Sequence, residues 1–408
     1  MTFKNMKLAL IFLVCCFMTT LSRSQVSLNG YYKNFFTVIK PVQSPLFPVP
    51  EDDYLGMVNK RLRLESRVSV SGKLSLHLAY DFSLGIQDQR LSFDIMDFLP
   101  KDQYRFADID ARIYPQESKA SSFRMRQNLD RVYLHYRARV ADVYVGRQVI
   151  SWGSARVINP TDILLPFMFN ELDKEERTGV DALRIRIPLG MMSEVDIGYI
   201  AGKDFNSNQS AAYLRSKFYA FQSDVSLLTL FYYDHFLAGL NFARAVGGAG
   251  VWLEAAYSVN NLSENDASSG NNYMRLSVGT DYSLREKLYG FIEYHYNGAG
   301  SHQSHDYMKN FISPAYLQGG VYLLGKHYLM PGFQYQLKPL ILLSGQVLFN
   351  LSDRSAYYTP VVEYNIAPNI YIGGGAYIGA GKSPETFTLH SEFGTWPDFF
   401  YSSFRVYF

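Results

Sequence analysis

Apolar and polar residues alternate with a period of two along most of the chain, and this pattern constrains the fold more than any other feature. Between Arg61 and Val70, leucine and valine fill the even positions apart from Ser66, and charged or polar residues fill the odd positions. The segment from Lys73 to Leu84 repeats the pattern, with leucine and aromatic residues on one face. A period of two places neighbouring side chains on opposite faces of a β-strand. We therefore expect strands with one apolar face and one wet face.

The spacing of the turn residues predicts 18 such strands, with 16 as the alternative count. They are placed near 27–40, 58–71, 73–85, 128–139, 141–150, 181–189, 192–201, 213–222, 223–234, 236–246, 249–260, 272–284, 287–298, 326–337, 340–353, 355–366, 369–380 and 399–408. Each can cross a bilayer as a tilted strand, which needs about 9 to 11 residues. An even count brings both ends of the chain to the same side, so the first strand is expected to pair with the last.

The predicted links alternate between short and long, as in barrels that have short periplasmic turns and longer outer loops. The long links are 41–57, 86–127, 151–180, 202–212, 261–271, 299–325 and 381–398. Two links, near 235 and 354, are short although the alternation places them on the side of the long links. This alternation favours an up-and-down barrel.

Composition supports the same fold class. Aromatic residues make up 16% of the chain and charged residues only 19%. No apolar run after position 21 reaches the roughly 20 residues of a membrane helix. A hydrophobic content of 48% argues against disorder. We expect an all-β, transmembrane, antiparallel β-barrel with an apolar lipid face and a wet lumen.

Residues 1–24 have the pattern of a secretory signal peptide, which leaves 25–408 as the barrel. Lys4 and Lys7 precede an apolar stretch from Leu8 to Phe17, and a small-x-small site follows. Cys15 and Cys16 are the only cysteines, so the mature chain is expected to have no disulfide and no thiolate metal site. Without the leader the acidic residues outnumber the basic ones by one, which gives no support for nucleic-acid binding.

Three sequence motifs stand out from the alternating pattern. They are Gly146–Gly153 (G-R-Q-V-I-S-W-G), Asn159–Asp162 (N-P-T-D) and Glu176–Arg184 (E-R-T-G-V-D-A-L-R). Together they resemble a porin-like family of Gram-negative outer-membrane barrels, in which such a strand end leads through an N-P-x-D loop into a return strand. The terminal segment ending at Phe408 also resembles the C-terminal signature that the barrel-insertion machinery reads. These resemblances imply the fold, an outer-membrane location and a channel-like role, but no substrate.

The residues between the motifs are expected to form a loop that folds inward. Trp152-Gly153 permits a sharp turn, and Pro160 suits the first turn of a short helix capped by Asn159, with Asp162 near its positive end. Arg147 falls by parity on the lipid face, so a bulge or strand end near Gly146 is predicted to turn it inward or to the rim. The candidate constriction residues are Arg147, Trp152, Asn159, Pro160, Asp162, Glu176 and Asp181. The alternative is a packing motif that contacts no solute.

Arginines on the predicted inward face form a second constellation. They are Arg61, Arg63, Arg67, Arg131, Arg137, Arg139, Arg184 and Arg186. Acidic residues are expected opposite them, namely Glu65, Asp81, Glu194, Asp196, Asp281, Glu293 and Glu363 on strands and Glu171, Asp173, Glu175 and Glu176 in a loop. Such a transverse field selects polar or anionic solutes. The alternative is a set of ion pairs that only stiffen the wall.

Signals for catalysis or a bound metal are poor. The eight histidines are scattered, and His302, His305 and Asp306 lack a third ligand at helical spacing. No enzyme activity, cofactor or metal is expected. The preferred hypothesis is a passive channel for small hydrophilic solutes, with anionic ones as a candidate class. Membrane lipid, the insertion machinery and further copies of the chain are the candidate partners. The rival is a barrel blocked by loops 86–127 and 151–180 that serves as an accessory subunit of a surface assembly or secretion complex.

Overall fold

The computed structural model describes residues 25–42, 54–90, 104–109, 122–164, 166, 169, 171–173, 175–262, 272–385 and 388–408. The predicted signal peptide, residues 1–24, lies outside this part of the chain, as does most of the predicted link 86–127. Among the described residues, no helix combines the length and hydropathy that crossing a membrane requires.

Eighteen strands form one sheet. Their bounds are β1 Gln25–Lys40, β2 Leu55–Ser69, β3 Leu74–Gln87, β4 Phe123–Arg137, β5 Asp142–Gln148, β6 Val180–Pro188, β7 Glu194–Ile200, β8 Ala211–Ala220, β9 Ser223–Tyr232, β10 His235–Val246, β11 Ala249–Val259, β12 Tyr273–Leu284, β13 Leu288–Asn297, β14 His327–Lys338, β15 Ile341–Asn350, β16 Ser355–Ala367, β17 Ile370–Ala380 and β18 Asp398–Tyr407. Short helical turns occur at Lys203–Phe205, Ser207–Gln209, Ser304–Asp306, Tyr307–Asn310, Pro314–Leu317 and Phe393–Thr395. The predicted count of 18 is confirmed.

Every strand pairs antiparallel with its neighbours in sequence, and β18 pairs with β1 to close the ring. The closing register runs from Tyr31 opposite Tyr407 to Lys40 opposite Asp398. Beyond it, Gly30 and Phe408 exchange backbone hydrogen bonds of 2.8 and 3.0 Å. Pairing of the first strand with the last is therefore confirmed. The short links at 233–234 and 351–354 also match the prediction.

The buried apolar residues lie inside the ring, where loops pack against inward-facing side chains. On β9, Leu228 and Leu230 are buried, whereas Leu227 and Phe231 on the outer face are exposed. The inward face is thus apolar here and not polar as the alternation elsewhere predicts. The link between β5 and β6 shields this apolar inner face from water, because its residues Ile150, Trp152, Ile163 and Leu164 belong to the same buried cluster as Leu228 and Leu230.

Candidate functional site

The link between β5 and β6, residues 149–179, folds into the barrel. Gly146 has a φ of +116°, and a Cβ there would lie 2.3 Å from a backbone oxygen of β4. Arg147 is buried, and its Nε donates to Asp181 at 2.8 Å and its Nη1 donates to Asp108 at 2.8 Å. Both strand registers run through Arg147 without a bulge, and β5 ends one residue later at Gln148. Arg147 and Asp181 form a buried ion pair where the link meets the wall.

The link turns at Trp152 and Gly153 as predicted. Trp152 packs edge-on against Tyr213, with ring centroids 4.8 Å apart. Gly153 has a φ of +110°, and a Cβ there would lie 2.4 Å from Oδ1 of Asn159. Asn159 therefore packs onto the turn and caps no helix.

The short helix predicted at Pro160 is wrong. A single turn replaces it, closed by the Asp162 N–H donating to the Asn159 carbonyl at 3.3 Å. No helix occurs in the described part of this link. The physical reason is that most backbone N–H groups of residues 154–161 donate to glutamate side chains of the wall. Asp162 pairs with Arg177 instead of a helix end.

The far end of the link contacts the opposite wall. Asp173 lies 2.7 Å from Nζ of Lys33 on β1 and 3.0 Å from Nη1 of Arg61 on β2. Glu175 lies 2.8 Å from Lys33 and 3.1 Å from Arg405 on β18. Burial raises the pKa of Asp173, but Lys33 and Arg61 outweigh it and hold the pKa below its ordinary value. The link therefore crosses the lumen and is held by both sides of the ring.

The predicted basic wall exists, but most of its arginines are ion-paired. Arg63 has no exposed surface, and its Nη1 donates to Asp81 at 2.9 Å and to Asp130 at 2.8 Å, while Glu65 and Glu176 are further partners. Asp130 sits at a β-bulge, where the β3–β4 register skips one residue of β4. A side chain so enclosed cannot meet a solute, so the expectation that Arg63 lines the pore is corrected.

The other strand arginines divide into paired and exposed groups. Arg184 donates through Nε to Asp196 at 3.0 Å, Arg186 pairs with Glu194, and Arg131 pairs with Asp130. The following residues are exposed near the short-turn end: Arg67, Arg137 and Arg139. Arg139 lies in the turn after β4 and not on a strand, because β4 ends at Arg137.

Glu293 was also predicted to line the pore, and this is corrected. It lies on the inward face of β13 but has no exposed surface, because residues 156–158 cover it. Glu176, in contrast, keeps about a third of its side chain exposed beside Arg131, which lies 3.4 Å away.

A cavity of about 190 Å³ lies between the link and the wall formed by β12 to β15. At about 30 Å³ per water molecule, this space suits a small polar solute. Its lining includes Arg156, Val157, Ile158, Asn159, Asp162, Pro166, Phe169, Arg177, Arg275, Tyr322 and Gln346. Three guanidinium groups thus face one carboxylate.

The three arginines of the cavity differ in how they are paired. Arg156 lies 2.7 Å from Asp281, and Arg177 pairs with Asp162. Arg275 is only 3% exposed, and its Nε and Nη1 have no hydrogen-bond partner in the described structure. Buried donors without partners are rare and costly. Arg275 therefore adds a buried positive charge at the wall of the cavity, with two donors that no described residue satisfies.

Burial affects the titration of the only carboxylate in the lining. Desolvation raises the pKa of Asp162 to about 7, although Arg177 lowers it, and Glu254 raises it further. The net charge of the cavity lining therefore changes near neutral pH.

The sequence analysis missed Arg156, Arg177 and Arg275. Arg275 was detectable in principle, because it shares the inward parity of β12 with Ser277 and Asp281. Its lack of a partner was not detectable, since that depends on which loop covers it.

The histidine cluster considered for a metal does not assemble. His305 lies 3.4 Å from Asp306, and the His302 ring is 5.3 Å from the ring of His327. No group of three or more potential metal ligands occurs among the residues that the structure describes.

Comparison with known proteins yields similarity in fold only. No family model matches the chain, and no curated protein matches it in sequence. A BenF-like porin from Pseudomonas fluorescens Pf-5 is similar with a TM-score of 0.57 and 9% identity, covering 95% of this chain and 99% of that one. Acinetobacter baumannii OccAB2 gives a TM-score of 0.57 and 6% identity over 94% and 98% of the two chains. Pseudomonas aeruginosa OpdK, solved with vanillate, gives 0.54 and 9% over 94% and 98%. The chain shares the fold of these proteins.

Proposed function

We propose that the chain forms a channel in the outer membrane of a Gram-negative bacterium, through which small hydrophilic solutes diffuse passively and anionic ones are favoured. The fold supports a channel, because barrels of 16 to 18 strands enclose an aqueous lumen. The similar fold of a BenF-like porin supports the same role. No catalytic step is required.

The observation that carries the anionic preference is the cavity around Arg275. Arg275 places a positive charge at the wall of the cavity, and such a charge attracts a carboxylate more strongly in this buried setting than in water. The lining also holds Arg156 and Arg177. OpdK contains vanillate, an aromatic carboxylate. A small carboxylate is therefore the solute class that we propose for this cavity.

Conductance in planar bilayers tests the proposal, with vanillate as the probe. The wild type is expected to give single-channel steps and transient current blockades when vanillate is added. Arg275→Gln removes the charge but keeps a polar side chain. We expect it to raise the dissociation constant of vanillate about tenfold or more, the factor that corresponds to about 1.4 kcal/mol.

The matched control is Arg285→Gln, in the exposed turn that follows the same strand. It removes an equal charge far from the cavity and is expected to leave the blockades unchanged. Equal effects of the two variants would overturn the role of Arg275. Folded protein that conducts no current would overturn the channel and favour the accessory subunit, because the link crosses the lumen.

A further inference from the structure

Two buried carboxylates of the wall lack the cationic partner that other buried wall acids have. Glu254 on β11 and Glu293 on β13 have no exposed surface. Within the described part of the chain neither forms an ion pair, whereas Asp130 and Asp196 each pair with an arginine. An unpaired buried charge is costly, so other donors must compensate it.

The donors are the backbone of the link. Glu293 accepts the N–H groups of Arg156 at 2.8 Å, Ile158 at 3.0 Å and Val157 at 3.3 Å, and also Nε1 of Trp252 at 2.9 Å. Both of its oxygens are engaged. The chain at residues 156–158 therefore wraps around the carboxylate.

Glu254 binds the residues that lie on either side of 156–158 in the link. It accepts the N–H groups of Ser154 at 2.8 Å, Ala155 at 3.0 Å and Thr161 at 2.9 Å, together with the Thr161 hydroxyl at 2.7 Å. The two glutamates thus engage six backbone N–H groups between residues 154 and 161. Ser277 of β12 adds a hydroxyl that donates to the Ile158 carbonyl at 2.7 Å.

We propose that Glu254 and Glu293 are positioning residues that hold residues 154–161 in place and thereby set the width of the constriction. Charge-assisted hydrogen bonds are about twice as strong as neutral ones, and each buried N–H left unpaired costs free energy. Replacing either carboxylate therefore releases the segment from the wall. The inference on width rests on the proposed channel function, whereas the inference on position does not.

Glu293→Gln is the most direct perturbation. The glutamine side chain has nearly the same shape as glutamate. Both carboxylate oxygens of Glu293 accept hydrogen bonds from backbone N–H groups of the link, so the NH₂ group of the glutamine must face one of these donors and cannot accept from it. Glu194→Gln is the matched control, since Glu194 is a wall acid on β7 that pairs with Arg186. Single-channel conductance is expected to increase in Glu293→Gln and to stay unchanged in Glu194→Gln.

A second readout follows the segment without using conduction. Ala155→Cys places a reporter thiol in the segment, and the native Cys15 and Cys16 precede β1. Glu293→Gln is expected to accelerate labelling by a water-soluble maleimide about tenfold or more, which corresponds to about 1.4 kcal/mol. Equal labelling rates in the folded Glu293→Gln and Glu194→Gln proteins would overturn the proposal. Faster labelling in a protein that never conducts would support the positioning role and reject the channel.

If Glu293→Gln does not fold, Glu293→Ala decides the question. The truncated side chain leaves the N–H groups free to take a small carboxylate from solution. Acetate is expected to restore the yield of heat-modifiable folded barrel, whereas chloride at the same ionic strength is not. Equal yields in the two salts would overturn the proposal.

Discussion

Replacing Arg63 with methionine should destabilise the barrel more than any change of an exposed arginine on the same strand. Arg63 has no exposed surface and lies between Asp81 and Asp130. Removing one partner of a buried ion pair costs about 3 to 5 kcal/mol. Asp81 keeps Arg61 at 3.1 Å, and Asp130 keeps Arg131 as a partner. Because both acids retain a cation, we expect a loss at the low end, about 3 kcal/mol.

Arg67→Met is the control, since Arg67 lies on the same face of β2 and is exposed. Substitutions at such sites usually change stability by less than about 0.5 kcal/mol. The assay is equilibrium unfolding of the refolded barrel in lipid with urea, followed by the gel shift between folded and unfolded forms. Coincident unfolding curves for Arg63→Met and Arg67→Met would refute the reasoning that the buried network stabilises the wall.

Three further outcomes are expected. Backbone hydrogen bonds between Phe408 and Gly30 complete the pairing of β1 with β18. Deleting Phe408 should therefore reduce the amount of heat-modifiable protein in the outer membrane. An unchanged amount would count against this role of Phe408. Replacing Arg131 and Arg184 together with glutamine should shift the reversal potential toward cations less than Arg275→Gln does, because both arginines are already paired with acids. A larger shift would contradict the structure. The pKa of Asp162 is about 7, so its carboxyl is neutral one pH unit below 7 and charged one unit above. We expect the channel to prefer anions more strongly at the lower pH. Asp162→Asn should abolish this difference between the two pH values.

The wall was predictable because its constraint is local. Each strand shows its inward and outward faces in adjacent residues, so alternation and the spacing of turn residues located the 18 strands, and their even number predicted the pairing of β1 with β18. The exception on β9 is also visible in the sequence. Between Leu227 and Phe231 both faces of the strand carry apolar residues, and only Thr229 is polar.

The interior was not predictable because its partners are distant in sequence. Parity brings Arg63 inward, but its contact with Asp130 depends on a bulge that no residue pattern announces. Likewise, Asn159-Pro160 carries ordinary helix-start signals, but no helix forms there. The backbone N–H groups bind Glu254 and Glu293 instead, which lie on strands more than 90 residues away in sequence. Arg275 stands out only once this link is in place.

The most direct test of the central claim is the reversal potential of single channels in a KCl gradient, measured for the wild type and Arg275→Gln at a fixed pH below 7. An anion-preferring wild type is expected, with a clear shift toward cations in the variant, because the cavity wall loses the positive charge of Arg275. A wild-type channel that prefers cations, or a reversal potential that Arg275→Gln leaves unchanged, would contradict the account.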